Sequence, residues 1–527
     1  MTRCSWLAMI VMLSALMPAA AQEGPELPAQ YHEPIPLYSE VLGSYSFTIS
    51  SDSEEARRFF DQGMQLMFSF AKVDAVRSFR EAWTRDPECA ICYWGEAWAL
   101  GSYLNGPMRP PEAPHAYAAA QKALNLTAHA SERERAYIEA ISVRYVEHFV
   151  VDKRREQDEA YAEAMRLLSE RYPDDLDAAT LYGDALFLLE PRRGSRDIND
   201  PNVQRLHRVL EGVLARDITH PGACHLYVHA TESTVAPGKA EACAEFLGNA
   251  IPGASHINHM PSHTWNEVGR WADAVVANTQ AWHSDQKAEY GTGIAIYPQH
   301  NLHMLLFSAS MDGQGAVAIQ AGKDYHKLTG SSMYHALTLV RFGRFDEVLE
   351  LTDRPDEEVA GGLWDFAQGY AHLRQGDADF AEVFLNRVRR TAETSEARLR
   401  FHSAETLLGV LASILEGELH RHSGDPDGTV AAFERAVELE DSLVYDEPEP
   451  LPFAARHWLG AALLELERNA EAERVYRDEI EDHPHNGWSL FGLKTAIEAQ
   501  GRTDSAVDAD LEASWTRSDT WLRSSRF

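Results

Sequence analysis

Residues 59–87 read FFDQGMQLMFSFAKVDAVRSFREAWTRDP. Offsets of three and four residues return to one side of an α-helix, so Phe59, Gly63 and Leu66 share a face. Ala75, Phe79 and Ala82 share a second face, and Pro87 ends the pattern. The small residues let two antiparallel helices approach closely, the aromatic side chain wedges between them, and the proline stops the second helix where another pair begins.

The same frame returns near the other end of the chain in Leu459, Gly460, Leu463, Ala472, Tyr476 and Pro484, and continues in Leu493, Ile497 and Ala506. Between them, second-helix patterns fall at 240–252, 274–282, 316–328 and 345–352. Loops rich in Pro, Gly and charge occupy 106–114 and 190–201. This spacing resembles the tetratricopeptide repeat. The resemblance covers roughly residues 53–512 and implies an all-α, right-handed superhelical solenoid of antiparallel helix pairs, whose first helices line a concave groove.

The chain has 527 residues, enough for a large core, with 45% of them hydrophobic. Its formal charge of −33 and the absence of a Lys/Arg block argue against nucleic acid as a partner. Arg3, the apolar run 6–17 and Ala19-Ala20-Ala21 read as a signal peptide over 1–21, so the mature chain is expected to be exported, periplasmic or secreted. No later run reaches 18 apolar residues, so no membrane span is expected. Residues 22–52 read as an extended N-terminal segment, with a strand-like alternation at 45–49, and residues 513–527 as a C-terminal tail.

Residues 220–303 hold nine of the 23 histidines. Their spacing is helical: His225, His229 and Glu232; then His256, His259 and His263; then His300 and His303. Phased against the repeat, these histidines fall at its second, fifth or ninth positions and Glu232 at its twelfth. The resemblance assigns all four positions to the groove. Neighbouring helix axes lie about 8–10 Å apart, so imidazoles from successive first helices can converge on one ion. The expected ligand is a transition metal, copper, zinc or iron, held by His225, His229, Glu232, His256, His259, His263, His300 and His303. Eight donors exceed one tetrahedral shell, so either two ions bind or some donors support others. Met260 and Met304 would favour copper if they turned inward. Pro261 is expected to kink its helix or make it start late, with His256 and His259 then on an irregular segment.

Four cysteines remain after the leader, and the pairs Cys89–Cys92 and Cys224–Cys243 are expected as disulfides of an exported protein. The run Tyr93, Trp94, Trp98 and Tyr103 reads as core with some groove-lining rings, and Asp177 and Asp184, on one face of an earlier first helix, as a solvated face in preference to an extension of the acidic groove. The chain contains no G-x-S-x-G, Walker, H-E-x-x-H or dinucleotide motif. Two function classes follow. The first is a scaffold that binds a peptide, protein or small molecule in a metal-bearing groove. The second is a metal-dependent oxidoreductase or hydrolase that activates water or dioxygen, with Glu232 as the candidate proton-transfer group.

Overall fold

The computed structural model describes residues 26–191 and 194–527. The expected leader, 1–21, lies outside the described residues. Among those residues the chain is helical throughout, with one two-stranded hairpin, Arg398–Leu399 paired antiparallel with His402–Ser403. Successive helices pack as antiparallel pairs in a tetratricopeptide-like solenoid. Glu54–Phe68 pairs with Lys72–Arg85 at the start, and Gly487–Ala499 with Ser505–Ser514 at the end.

The wedge inferred from the sequence is visible at both ends. A Cβ added at Gly63 would lie 2.7 Å from the Phe79 ring, and one at Gly95, on the next first helix, 2.3 Å from it. Gly460 and Gly492 flank Tyr476 in the same way, at 2.4 and 2.1 Å. One aromatic ring thus sits between two glycines, and their missing side chains make room for it. Between paired helices, the turn places a left-handed residue just before the second helix. Gly313 (φ 70°) and Gly424 (φ 75°) do this without steric cost, whereas Phe70 (φ 61°) and Glu467 (φ 57°) do it with a side chain attached.

Two hydrophobic cores follow each other along the solenoid. The first runs from Leu27 to Ile296 and the second from Val275 to Val507. The face formed by the first helices is not an open groove. In the first half it carries the N-terminal segment, which behaves as a strap. Phe47 of the strap packs on Phe60, Trp94 and Tyr137, rings from three successive first helices. The strand-like alternation at 45–49 therefore finds no strand partner. Phe47 and Ile49 point inward, and the main chain bonds to side chains instead: Phe47 N donates to Asp61 at 2.7 Å and Ser50 N to Glu134 at 2.7 Å. In the second half the tail occupies the equivalent face. Phe527 packs on Tyr370, Phe453 and Trp458, and the Tyr370 hydroxyl donates to its carbonyl oxygen at 3.0 Å. The strap and the tail thus occupy part of the face that the sequence reading gave to a partner.

Candidate metal centre

The histidines meet between strap and tail. Pro221–Thr231 is capped by His220, whose ring accepts from Ala223 N, and Glu232 ends it. The next first helix is split: Ser255–His259 stops, and Pro261 begins Pro261–Glu267 at its first turn, where its missing N–H costs nothing. His256 and His259 therefore lie on a regular helical turn. Pro298–Met311 follows, and Tyr297 precedes it in a left-handed conformation.

Three donor groups form, each with ligand atoms within 4.8 Å of one another: His225, His229 and His256; His259, His263 and His300; and His229, Glu232, His263 and Glu447. Hydrogen bonds fix the tautomers. His225 Nδ1 donates to the Phe68 carbonyl at 2.6 Å, His229 Nδ1 to Glu232 at 2.9 Å, and His263 Nδ1 to the other Glu232 oxygen at 2.6 Å. Each of these rings then offers its Nε2 lone pair. Glu232 is contacted on both oxygens by imidazole Nδ1 atoms, the arrangement of a carboxylate that orients two ligands, and it also belongs to the third donor group. Burial pushes its carboxyl up, but the contacts with His229 and His263, whose Nδ1–H groups both donate to it, more than offset this and hold it below the usual range. It stays an anion.

Buried imidazole nitrogens without hydrogen-bond partners mark the centre: Nε2 of His225, Nε2 of His229, both nitrogens of His256 and Nδ1 of His259. Polar atoms left unpartnered inside a fold are costly and infrequent. His263 Nε2 lies 3.2 Å from His259 Nε2. Two nitrogens each ~2.05 Å from one ion at the tetrahedral angle stand about 3.3 Å apart, so this pair has the spacing of two ligands to one metal. Without an ion, an Nε2–H of His259 pointing at His263 satisfies the same contact. Burial, with like-charge repulsion from neighbouring rings, pushes His225, His256, His259 and His300 well below the ordinary imidazole value. They are neutral, the form that ligates.

His303 is placed elsewhere. It stacks on Tyr334 at 4.2 Å and belongs to none of the three groups. An offset of three residues leaves it about 60° round the helix from His300, enough to turn it toward the following repeat. Met260 is buried in the first core, and the Met304 sulfur accepts from the Asn266 amide at 3.9 Å. Trp94 and Trp98 are core, whereas Tyr103 bonds hydroxyl to hydroxyl with Tyr297 at 2.9 Å beside the histidines. Asp177 and Asp184 are not solvated: Asp177 bonds Tyr45 and His220, and Asp184 is buried against Trp98. Cys89 and Cys92 stand at disulfide distance at the start of Ala90–Leu100, with Cα atoms 5.4 Å apart. Cys224 and Cys243, with Cα atoms 4.9 Å apart, link the first histidine helix to its partner.

Residues that the sequence did not single out complete the site. Glu447 approaches His263 Nδ1 at 3.2 Å from a loop of the second core. Arg400, in the hairpin turn, pairs with buried Asp446 at 2.6 Å. The Phe70 ring covers the first donor group, 4.2 Å from His225, 5.9 Å from His229 and 5.4 Å from His256 between centroids. Among the described residues, three of the five non-glycine residues with positive φ, Phe70, Tyr297 and Arg400, border this one site, and backbone strain collects at functional positions. A cavity of about 250 Å³ opens beside His229, His256 and His300, with Arg196 and Tyr445 in its wall. Burial, together with Glu232, Glu267 and Glu447, pushes the Tyr445 hydroxyl well up, so it remains a neutral donor.

No protein-family model matches the chain, and no curated protein matches its sequence. Among solved structures it is similar to a Naa15/Naa10 complex bound to HypK-THB, at 14% identity over 85% of this chain and 67% of the other, with a TM-score of 0.22. It is also similar to Cut9–Hcn1 of the APC/C (12%, 87% and 76%, TM-score 0.29) and to the human IFIT1 dimer with m7Gppp-AAAA (9%, 81% and 90%, TM-score 0.30). Superposition at these scores is loose, and the fold assignment rests on the helix pairing itself. No helix among the described residues is long and apolar enough to cross a membrane.

Proposed function

We propose that this chain is an exported, metal-dependent enzyme: its buried histidines hold transition-metal ions whose open side faces a small cavity. The observation that carries this reading is the convergence of neutral imidazoles, several with unpartnered nitrogens, on a point bordered by that cavity. In this reading His225, His229 and His256 hold one ion, and His259, His263 and His300 a second. Copper, zinc and iron all accept such a shell. A metal of this kind polarises a bound water or dioxygen at neutral pH. Glu232 fixes the ring orientations of His229 and His263, and Glu447 stands where a proton can be taken or returned at His263 Nδ1. The coverage of the groove by strap and tail favours the enzyme over a scaffold for peptides or proteins. Export is supported by the leader-like start and by two cysteine pairs at bonding distance.

The test is elemental analysis of untagged protein purified without added metal, followed by water-proton relaxation of a paramagnetic-metal form. The reading expects one or two ions per chain and an exchangeable water on at least one of them. A saturated shell with no exchangeable water would return the protein to the scaffold class. Absence of metal after supplementation would remove both readings of the centre.

A further inference from the structure

Arg196 is a buried cation without a counter-ion. Only 9% of it is exposed, and among the described residues no carboxylate stands within ion-pairing distance of it. One guanidinium nitrogen, Nη1, donates to the His229 carbonyl at 3.0 Å and to Ser233 Oγ at 2.8 Å, which fixes the group against the first histidine helix. The Phe187 ring lies 4.9 Å from the guanidinium carbon, and Nε has no hydrogen-bond partner. The same side chain lines the cavity that His229, His256 and His300 border. Arg400, the other cation in that wall, is already neutralised by Asp446, and the Glu447 carboxylate is turned to His263.

A charge withdrawn from water needs a partner, and a guanidinium held through Nη1, with Nη2 in no hydrogen bond among the described residues and not sealed off as Nε is, matches an oxyanion. At about 250 Å³ the cavity falls just below the ~300–1,000 Å³ of pockets for drug-sized ligands. It fits a small molecule and not a peptide chain. We infer that the cavity binds a small organic oxyanion, a carboxylate or a phosphate monoester, with its charge on Arg196 and its body against His229, His256 and His300. This assignment rests on the metal reading for what happens to the ligand, but not for its binding, because Arg196 is no ligand of an ion.

The test uses benzoate, phenyl phosphate, benzyl alcohol and benzylamine as probes, titrated by calorimetry into full-length protein in metal-loaded and chelator-treated forms. Benzoate or phenyl phosphate should bind in both forms, at least tenfold more tightly than the neutral alcohol, and the cationic amine should not bind. The tighter anion of the two identifies the carboxylate or phosphate class. Arg196→Gln should weaken the preferred anion at least tenfold, with Arg196→Lys between it and the parent. Circular dichroism verifies folding of each variant. If Arg196→Gln does not fold, the ranking on the parent protein decides alone. Equal binding of alcohol and anion, or no anion binding to a protein that holds metal, overturns the inference and leaves the metal centre standing. Anion binding by a protein that takes up no metal sinks the enzyme reading and leaves this inference in place.

Discussion

Phe70 stands where other repeats place a left-handed glycine, and it keeps a side chain there because its ring covers three histidines. A non-glycine residue in this conformation costs about 1–2 kcal/mol. Glycine and alanine should therefore rank in reverse of their usual order. Phe70→Ala loses the ring and keeps the strain, a cost of about 3–5 kcal/mol, whereas Phe70→Gly loses the ring and relieves the strain. Urea unfolding should show Phe70→Gly the more stable of the two by about 1 kcal/mol, with both weakened in metal affinity. An alanine variant as stable as the glycine variant would mean that the ring, not the backbone, sets the whole cost. Glu232 gives a second prediction at this scale. Glu232→Gln keeps the shape but replaces an acceptor shared by two imidazole N–H groups with an amide, so metal affinity should fall about 10–100-fold. His263→Ala, which removes a ligand, should lose more. Competition with a chromophoric chelator measures both, and a Glu232→Gln loss as large as that of His263→Ala would make Glu232 a ligand.

Among the elements, the aromatic wedge is the unit that repeats. Gly460→Ala puts a carbon into the Tyr476 ring, an overpacking expected to cost about 1–3 kcal/mol. Gly376→Ala, in a turn with open space around it, tests the other role of glycine, since its left-handed backbone alone disfavours the new side chain. The histidine helices set a pH dependence. His225, His256, His259, His300 and His303 all have folded values below the ordinary imidazole value, because burial disfavours their charged form. Below about pH 6.5 the unfolded chain binds protons that the folded chain refuses, so the metal-free protein should lose stability as pH falls from about 7 toward 5. His483, whose value is raised despite burial because Glu449 and Glu479 face it, works in the opposite direction, as do the carboxyls of Glu267, pushed by burial up to about 8, and of Asp61, Asp184, Asp285 and Asp312, pushed up to about 6. Urea midpoints for the metal-free protein at pH 7.5 and 5.5 check the net sign, and a flat or rising midpoint on acidification would contradict it. These elements were legible because helical offsets leave their mark in the sequence. Gly63 with Phe79, and His225 with His229, are each visible as spacing. His303 misled because a three-residue offset is only approximately one face. Glu447, Arg400 and Arg196 sit on loops, where no period announces which side chain turns inward, and their contacts reach across the chain.

At the scale of the whole molecule, the site lies at the seam between two cores. The first core supplies His225, His229, His256 and His259, whereas His300 stands in the first turn of Pro298–Met311, a helix of the second core, which also reaches over with the hairpin at Arg400 and the loop at Tyr445 and Glu447. A ligand bound across a seam stabilises both sides by mass action, by about 2.7 kcal/mol at one hundred times its dissociation constant. Metal addition should therefore raise the unfolding temperature of both cores together, and Glu447→Ala should weaken the link while leaving most of the histidine shell. Calorimetry of the metal-free and loaded forms tests this, and a loaded form in which only one transition moves would place the ion within the first core alone. The solenoid itself was readable from residues 59–87 and 459–506, since a repeat states its architecture in every unit. The strap and tail were not readable as groove fillers. They are irregular segments, and their place depends on side chains such as Gln62, Glu134 and Tyr370, which bond their main chain from distant helices.

The loop that carries Glu447 also has a place in time. A ribosome completes the histidine helices, residues 221–311, before it reaches residues 443–455, so the donors precede their roof. In the metal reading, an ion captured by the early half is shut in when the later half docks. Uptake and release by the folded protein then pass under this roof, and the mature protein should exchange its metal more slowly than the affinity of an open histidine cluster implies.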